Sequence, residues 1–269
     1  MANDPSQRLA DWFTGAHGGR LLREERPLLG EAVRRFHGDT LLWVGCHGDI
    51  AGTVRGCMVR HRLFASEPAG AGPEELSTLR CALEALPLPN GSLDAVVLHH
   101  ALEVSADARS GLREVARVLA PGGRLVVCMF NPLSLWGARR AYARFGGDAF
   151  SGLRFVTSFR LLDWLALLGF ERQAAVQYLS YNLPFSRPSR DQQAPAGRME
   201  RTLRRIQAPF GGVYLVSAVK QAAALRPHWR AARVKGPKLL PAAYPKSAVS
   251  REPAPVLQFS DWKDLERGG

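Results

Sequence analysis

His99, His100 and Glu103 are the side chains in this sequence whose types and spacing could move a proton near neutral pH. An unperturbed imidazole titrates near about 6.5, which makes His100 the candidate general base. Glu103 reads as a partner for a neighbouring basic group rather than as a second base. Further back, Gly45-Cys46-His47-Gly48 forms a turn after TLLWVG, where glycine permits close backbone approach. About twenty residues on, Glu67 closes the apolar run RLFAS. Asn131-Pro132-Leu133 reads as a turn that ends one element and starts a helix. Cys46, Cys57, Cys81 and Cys128 have no C-x-x-C spacing and sit mostly among apolar residues. They read as buried thiols, so no metal is expected.

Two apolar runs must position these groups. Ala95 to His100 (AVVLHH) follows Pro89-Asn90-Gly91-Ser92, and Arg124 to Phe130 (RLVVCMF) follows Pro121-Gly122-Gly123; both read as strands. Between them Leu112, Val115, Ala116 and Leu119 have the spacing of a helix that buries one face. Strand, helix, strand with short links makes a right-handed parallel crossover, and runs apolar on both sides belong in a sheet covered on both faces. The expected class is therefore α/β, doubly wound. Such sheets bind ligands at the carboxyl ends of their strands, which is where His99, His100, Glu103 and Asn131 fall.

The remaining segments fit the same layout. Residues 12–36 read as one or two amphipathic helices after a glycine-rich turn at Gly15 to Gly19; Leu21, Leu22, Leu28, Leu29, Val33 and Phe36 share a stripe, with Arg20, Arg23, Glu24, Glu25 and Arg34 outside it. TLLWVG, RLFAS and part of TLRCALEAL supply three early strands. LWGARRAYARF and the segment ending at Gly169 supply helices, and RQAAVQYLSY and GVYLVSAVK the last two strands. Residues 182–210 form a polar, Arg-rich connection with a basic helix at Arg198 to Ile206.

The order of these signals resembles the class I S-adenosylmethionine-dependent methyltransferases, type 11 branch, over roughly residues 10–220. The segment LPLPNGSLDAVVLHHALE followed by RVLAPGGRLVV carries most of the resemblance. It implies a Rossmann-like, mostly parallel seven-stranded sheet with the last strand antiparallel, and S-adenosyl-L-methionine as cofactor. It places Gly45, Cys46, His47 and Gly48 against the amino acid and ribose, Glu67 on the ribose hydroxyls, Leu83 and Glu84 at the adenine edge, and Leu98 and His99 over its other face or the methionine end. Trp43 stands where the family carries an acid before the first glycine, and Ala82 where it carries the acid for the adenine amino group. The function implied is methyl transfer to an acceptor that the sequence does not identify. The alternative is a catalytically degenerate binding module with a polyanionic or protein partner. A nicotinamide-binding reading fails because GCHGDI lacks the third glycine of that fingerprint.

Length and charge bound the rest. A chain of 269 residues with 46% apolar content can build a full core, and no apolar run approaches the length of a membrane span. The opening residues lack a secretion-signal layout, so a cytoplasmic protein is expected. Net charge is +12, and from Arg226 onward nine basic residues face four acidic ones. Residues 1–40 are read as a helical cap, 41–220 as the methyltransferase-like domain, and 221–269 as a disordered, basic, Pro/Lys-rich tail. That tail reads as a solvated arm in preference to a nucleic-acid or polyanion contact.

Overall fold

Each early strand alternates its side chains between two helical layers, and this alternation organises the chain. The computed structural model describes residues 5–45, 50–66, 76–143, 149–181, 202–203 and 205–222. Its elements are α1 (Pro5–Thr14), α2 (Ala16–Arg34), β1 (Thr40–Gly45), α3 (Ile50–Val54), β2 (His61–Ser66), β3 (Ser77–Arg80), β4 (Leu93–His99), α4 (Ala108–Val118), β5 (Leu119–Phe130), α5 (Leu135–Ala143), α6 (Ser158–Leu167), β6 (Phe170–Arg172), β7 (Gln177–Leu179) and β8 (Val213–Lys220). In β1, Leu42 and Val44 join a core with Val96, Leu98 and Val127 and with Leu112 and Val115 of α4. Leu41 and Trp43 join the opposite core, with Leu9 and Phe13 of α1 and Leu21, Leu29 and Val33 of α2. The period of two along a strand requires this division. Trp43 therefore packs beneath the N-terminal helices.

The sheet order is β3-β2-β1-β4-β5-β8-β6, with β7 also paired to β8. Pairs β1–β2, β2–β3, β1–β4 and β4–β5 are parallel, and β8 runs antiparallel to β5. The doubly wound sheet is thus as expected, with one strand more than seven. Both β6 and β7 pair with β8, where a single strand was expected at RQAAVQYLSY. Residues 173–176 leave the ladder between them, although the Gln173 N–H still donates to the Ser217 carbonyl. Chain order reverses between β1 and β4, so the crevice at their carboxyl ends is the switch point where ligands bind in such sheets.

The N-terminal helices differ in one respect from the glycine turn expected at Gly15 to Gly19. Only Gly15 lies outside a helix; Gly18 and Gly19 belong to α2. A Cβ at Gly18 would collide with the Trp12 carbonyl oxygen, so glycine there lets α2 cross tightly against α1. Helix α4 starts at Asp107, whose carboxylate accepts the Arg109 N–H at 3.1 Å. Its buried face is Leu112, Val115 and Val118, each removing about 2 kcal/mol worth of apolar surface from water. Among the described residues no helix is long and apolar enough to cross a membrane. Residues 223–269, the basic helix at 198–201 and the tail contact expected from sequence lie outside the described residues.

Candidate functional site

Strand β4 delivers His99 and His100 to the switch point, and the backbone there is tightly fixed. His100 has φ +52, a left-handed conformation that costs a non-glycine residue about 1–2 kcal/mol. Its N–H donates to the Cys128 carbonyl at 3.0 Å, which extends the β4–β5 ladder by one residue. The side chain is fixed as firmly. Nδ1 lies 2.9 Å from Glu103 Oε1 and Nε2 lies 3.1 Å from Glu25 Oε1, while His99 Nε2 is 2.9 Å from Glu25 Oε2. Glu103 Oε1 also accepts the Phe130 N–H at 2.8 Å. All four side chains are buried, and the Phe130 and Phe13 rings lie 4.3 and 5.2 Å from the His100 ring.

Such a cluster has its charge states set by its neighbours. Burial alone would raise the Glu25 carboxyl, but the charge of His100 and hydrogen bonds to both histidines outweigh it and bring the group down to about 2. Burial likewise opposes charge on His100, and the Glu25 and Glu103 carboxylates overcome this, holding the imidazole well above its ordinary value. Burial and the Glu25 charge push the Cys128 thiol up to about 12. An ionised Glu25 only accepts, so His99 Nε2 must carry a proton, and a cationic His100 donates from both nitrogens. The Glu103 Oε2 atom is buried and has no hydrogen-bond partner.

These facts correct the reading of His100 as an open base of ordinary pKa. It is 1% exposed and both of its ring nitrogens face buried carboxylates within hydrogen-bond distance, so neither is open to an acceptor. Glu103 pairs with a basic neighbour, as expected. Glu25 was expected outside the apolar stripe of its helix and is instead fully buried. The signal was present in the sequence: Leu21, Glu25 and Leu29 are spaced by four and share one face. A carboxylate on a buried stripe requires a cation opposite, and that cation comes from 75 residues further along the chain.

Glu25, His99, His100 and Cys128 offer ligand atoms within 4.8 Å of one another, the donor types that a zinc-like ion takes. Both His100 nitrogens are spent on carboxylates, and the raised Cys128 thiol keeps its hydrogen.

The other expected site residues divide into three groups. Gly45, Leu98 and His99 come together at the paired ends of β1 and β4. Gly45 has φ +101, and a Cβ there would collide with the His99 carbonyl oxygen, so only glycine can close β1 this way. Leu83 and Leu98 lie in the core beside α4, at 4% and 0% exposure. Glu84 accepts from Ser105 Oγ at 2.5 Å and from the Asp107 N–H at 3.0 Å, which ties the segment after β3 to the start of α4. Cys46, His47, Gly48 and Glu67 lie outside the described residues. At the described rim Gly45, Ser66 and Ala82 are only partly buried where β1, β2 and the segment after β3 emerge, and the Gly45 conformation leaves bare backbone at that edge, where the cofactor's amino acid and ribose would approach.

At the carboxyl end of β5, Asn131 organises the next rim segment. Its side-chain amide donates to the carbonyls of Pro209 and Gly211 at 2.8 and 2.9 Å, and its Oδ1 accepts the Leu133 N–H at 3.1 Å. The turn expected at Asn131-Pro132-Leu133 is thus present, leading into α5.

Comparisons with known proteins bear on the fold and the family. Residues 53–127 match the family model described as a methyltransferase domain of type 11. The uncharacterized protein YafS of Escherichia coli is 29% identical over 61% of this chain and 58% of its own length. A demethylmenaquinone methyltransferase of Thermus thermophilus is 44% identical over 26% of this chain and 31% of its own. The chain therefore spans less than two thirds of the length of either relative. The crystal structure of an S-adenosylmethionine-dependent methyltransferase from Mesorhizobium loti, 20% identical, shares the fold with a TM-score of 0.53 over 76% of this chain and all of its own.

Proposed function

For a chain that carries a class I methyltransferase domain of the type 11 branch, with S-adenosylmethionine as its cofactor, we propose methyl transfer to an acceptor that arrives already ionised. The observation that carries the first half is the match over residues 53–127, which spans the strand and crossover that form one side of the switch point. The second half follows from the cluster. Glu25, His99, His100 and Glu103 are engaged with one another and buried, so none of them takes a proton from an acceptor.

When bound, the cofactor supplies an electrophilic methyl group on a sulfonium. The chain's own contribution is alignment and exclusion of water. Gly45 presents backbone to the ligand, and Glu67 is the residue we assign to the ribose hydroxyls. His100 is a positioning residue: clamped by Glu25 and Glu103, it sets the end of β4 and keeps α2 over it. Acceptors whose attack needs no base include carboxylates, phenolates and reduced quinones in their anionic form; where a quinol ring carbon attacks the methyl group, that carbon's proton then leaves to water. The name of the Thermus relative makes a demethylmenaquinol analogue the first acceptor to try.

Titration calorimetry tests the reading. Micromolar affinity for S-adenosylmethionine, with Glu67→Ala weakening it by about 1.5–3 kcal/mol, supports it; no detectable heat at millimolar cofactor would leave the binding-module alternative in its place.

A further inference from the structure

The rim beyond β5 exposes apolar side chains that the core does not use. Leu133 and Leu135 are 55% and 49% exposed, and across the Asn131 hydrogen bonds Ile206 and Phe210 are each 66% exposed. Four large apolar side chains on two segments pinned to each other form a patch, which scattered single residues do not. Ala208, between Ile206 and Phe210, is buried, and its N–H is bonded to the Leu203 carbonyl, so this segment turns its apolar neighbours outward while anchored beneath.

Charge singles out the occupant. In the described parts of these two segments the ionisable side chains are Arg139, Arg140 and Arg205, with no acid among them. Of these, Arg205 is exposed beside Ile206, while Arg139 and Arg140 lie half-buried on α5, Arg139 over the rings of Trp136 and Phe150 and Arg140 over Phe155. Exposed leucine, isoleucine and phenylalanine on segments that carry Arg139, Arg140 and Arg205 match a bilayer: apolar tips enter the acyl boundary and guanidinium groups meet phosphates. The patch also sits at the carboxyl edge of the sheet, the edge that carries Gly45 and His100.

We propose that this patch docks the protein onto the surface of an anionic phospholipid membrane, which places the acceptor crevice against the bilayer. The link to an acceptor drawn from that bilayer rests on the transferase reading; the docking itself does not. Docking orients the carboxyl edge of the sheet toward the lipid, so a lipid-borne acceptor reaches the switch point without crossing water.

The test is flotation of the full chain with vesicles of phosphatidylcholine containing one-quarter phosphatidylglycerol, without cofactor. The wild type is expected to float with these vesicles, to bind pure phosphatidylcholine at least about tenfold less, and to be released by high salt. The combined variant Leu133→Asp, Ile206→Asp, Phe210→Asp is expected to lose vesicle binding by about tenfold or more while keeping its melting temperature and its calorimetric response to S-adenosylmethionine, since all three side chains are exposed. Wild-type partitioning of this variant would assign any binding to the basic residues after Gln221 and overturn the proposal. So would the absence of wild-type flotation, or a dimer in sedimentation that the variant abolishes without any vesicle binding. Loss of cofactor binding with flotation retained would count against the transferase reading alone.

Discussion

Glu25→Gln isolates the buried cluster with the least change in shape. The substitution keeps an acceptor oxygen for one histidine, removes the charge that faces His100, and turns an amide N–H₂ toward a ring that already carries a proton. The Glu25 carboxyl is lowered from 4.5 to about 2, a differential interaction of about 3 kcal/mol by the usual conversion of pKa to free energy. Breaking a buried pair by removing one partner costs about 3–5 kcal/mol, so the two routes agree. For a folded unit of this size the melting temperature should fall by about 6–15 °C. The pH dependence separates a charge effect from loss of packing. Because Glu25 is depressed in the folded state, its contribution is complete above about 4.5 and is lost as pH falls toward 2. His100 is raised, so its contribution is complete below about 6.5 and is lost as pH rises through its folded value. The wild type should therefore be most stable between these limits, and in the variant the alkaline decline, which starts near the same pH, should be smaller and finish at lower pH. Differential scanning calorimetry from pH 2 to 10 measures both. A variant that melts within 2 °C of wild type with the same alkaline limb would show that His100 is not held as a cation. Adding His100→Asn to Glu25→Gln should cost less than the sum of the two single changes, because they disrupt one network.

Two further changes probe the crevice and its rim. Gly45→Ala should destabilise the fold by about 2 kcal/mol or more, since φ +101 strains any side chain and the new methyl meets the His99 carbonyl; urea denaturation reads the cost. Asn131→Ala removes three hydrogen bonds and should cost about 2–3 kcal/mol, with amide exchange accelerating selectively over residues 207–212.

The sheet was legible because each inner strand is a short β-branched run announced by a turn, and because Leu112 and Val115 mark a crossover helix by spacing alone. The break between β6 and β7 was not, since Gln173, Ala174 and Ala175 carry no glycine or proline and only the pairing to β8 decides where the ladder lapses. The site was half legible. His99, His100 and Gly45 were placed at the crevice by the turn that follows each apolar run. The charge state of His100 was hidden, because it depends on Glu25, a residue 75 positions away. Drawing the α2 stripe from apolar residues alone excludes the one carboxylate that the helix buries. Glu84 misled in the opposite direction: its position after β3 suggested a ligand contact, while its carboxylate is occupied at the start of α4.

The bond between Glu25 and the end of β4 also bears on where this protein can be trimmed. The stretch shared with the methyltransferase family begins at residue 53, downstream of both N-terminal helices and of β1. A fragment cut to that stretch would discard the counter-charge of a cation sealed inside it. Such a fragment would have to flood the interior with solvent or surrender the imidazole's proton, so the first helices are as much a part of the minimal folding unit as the strands they cover.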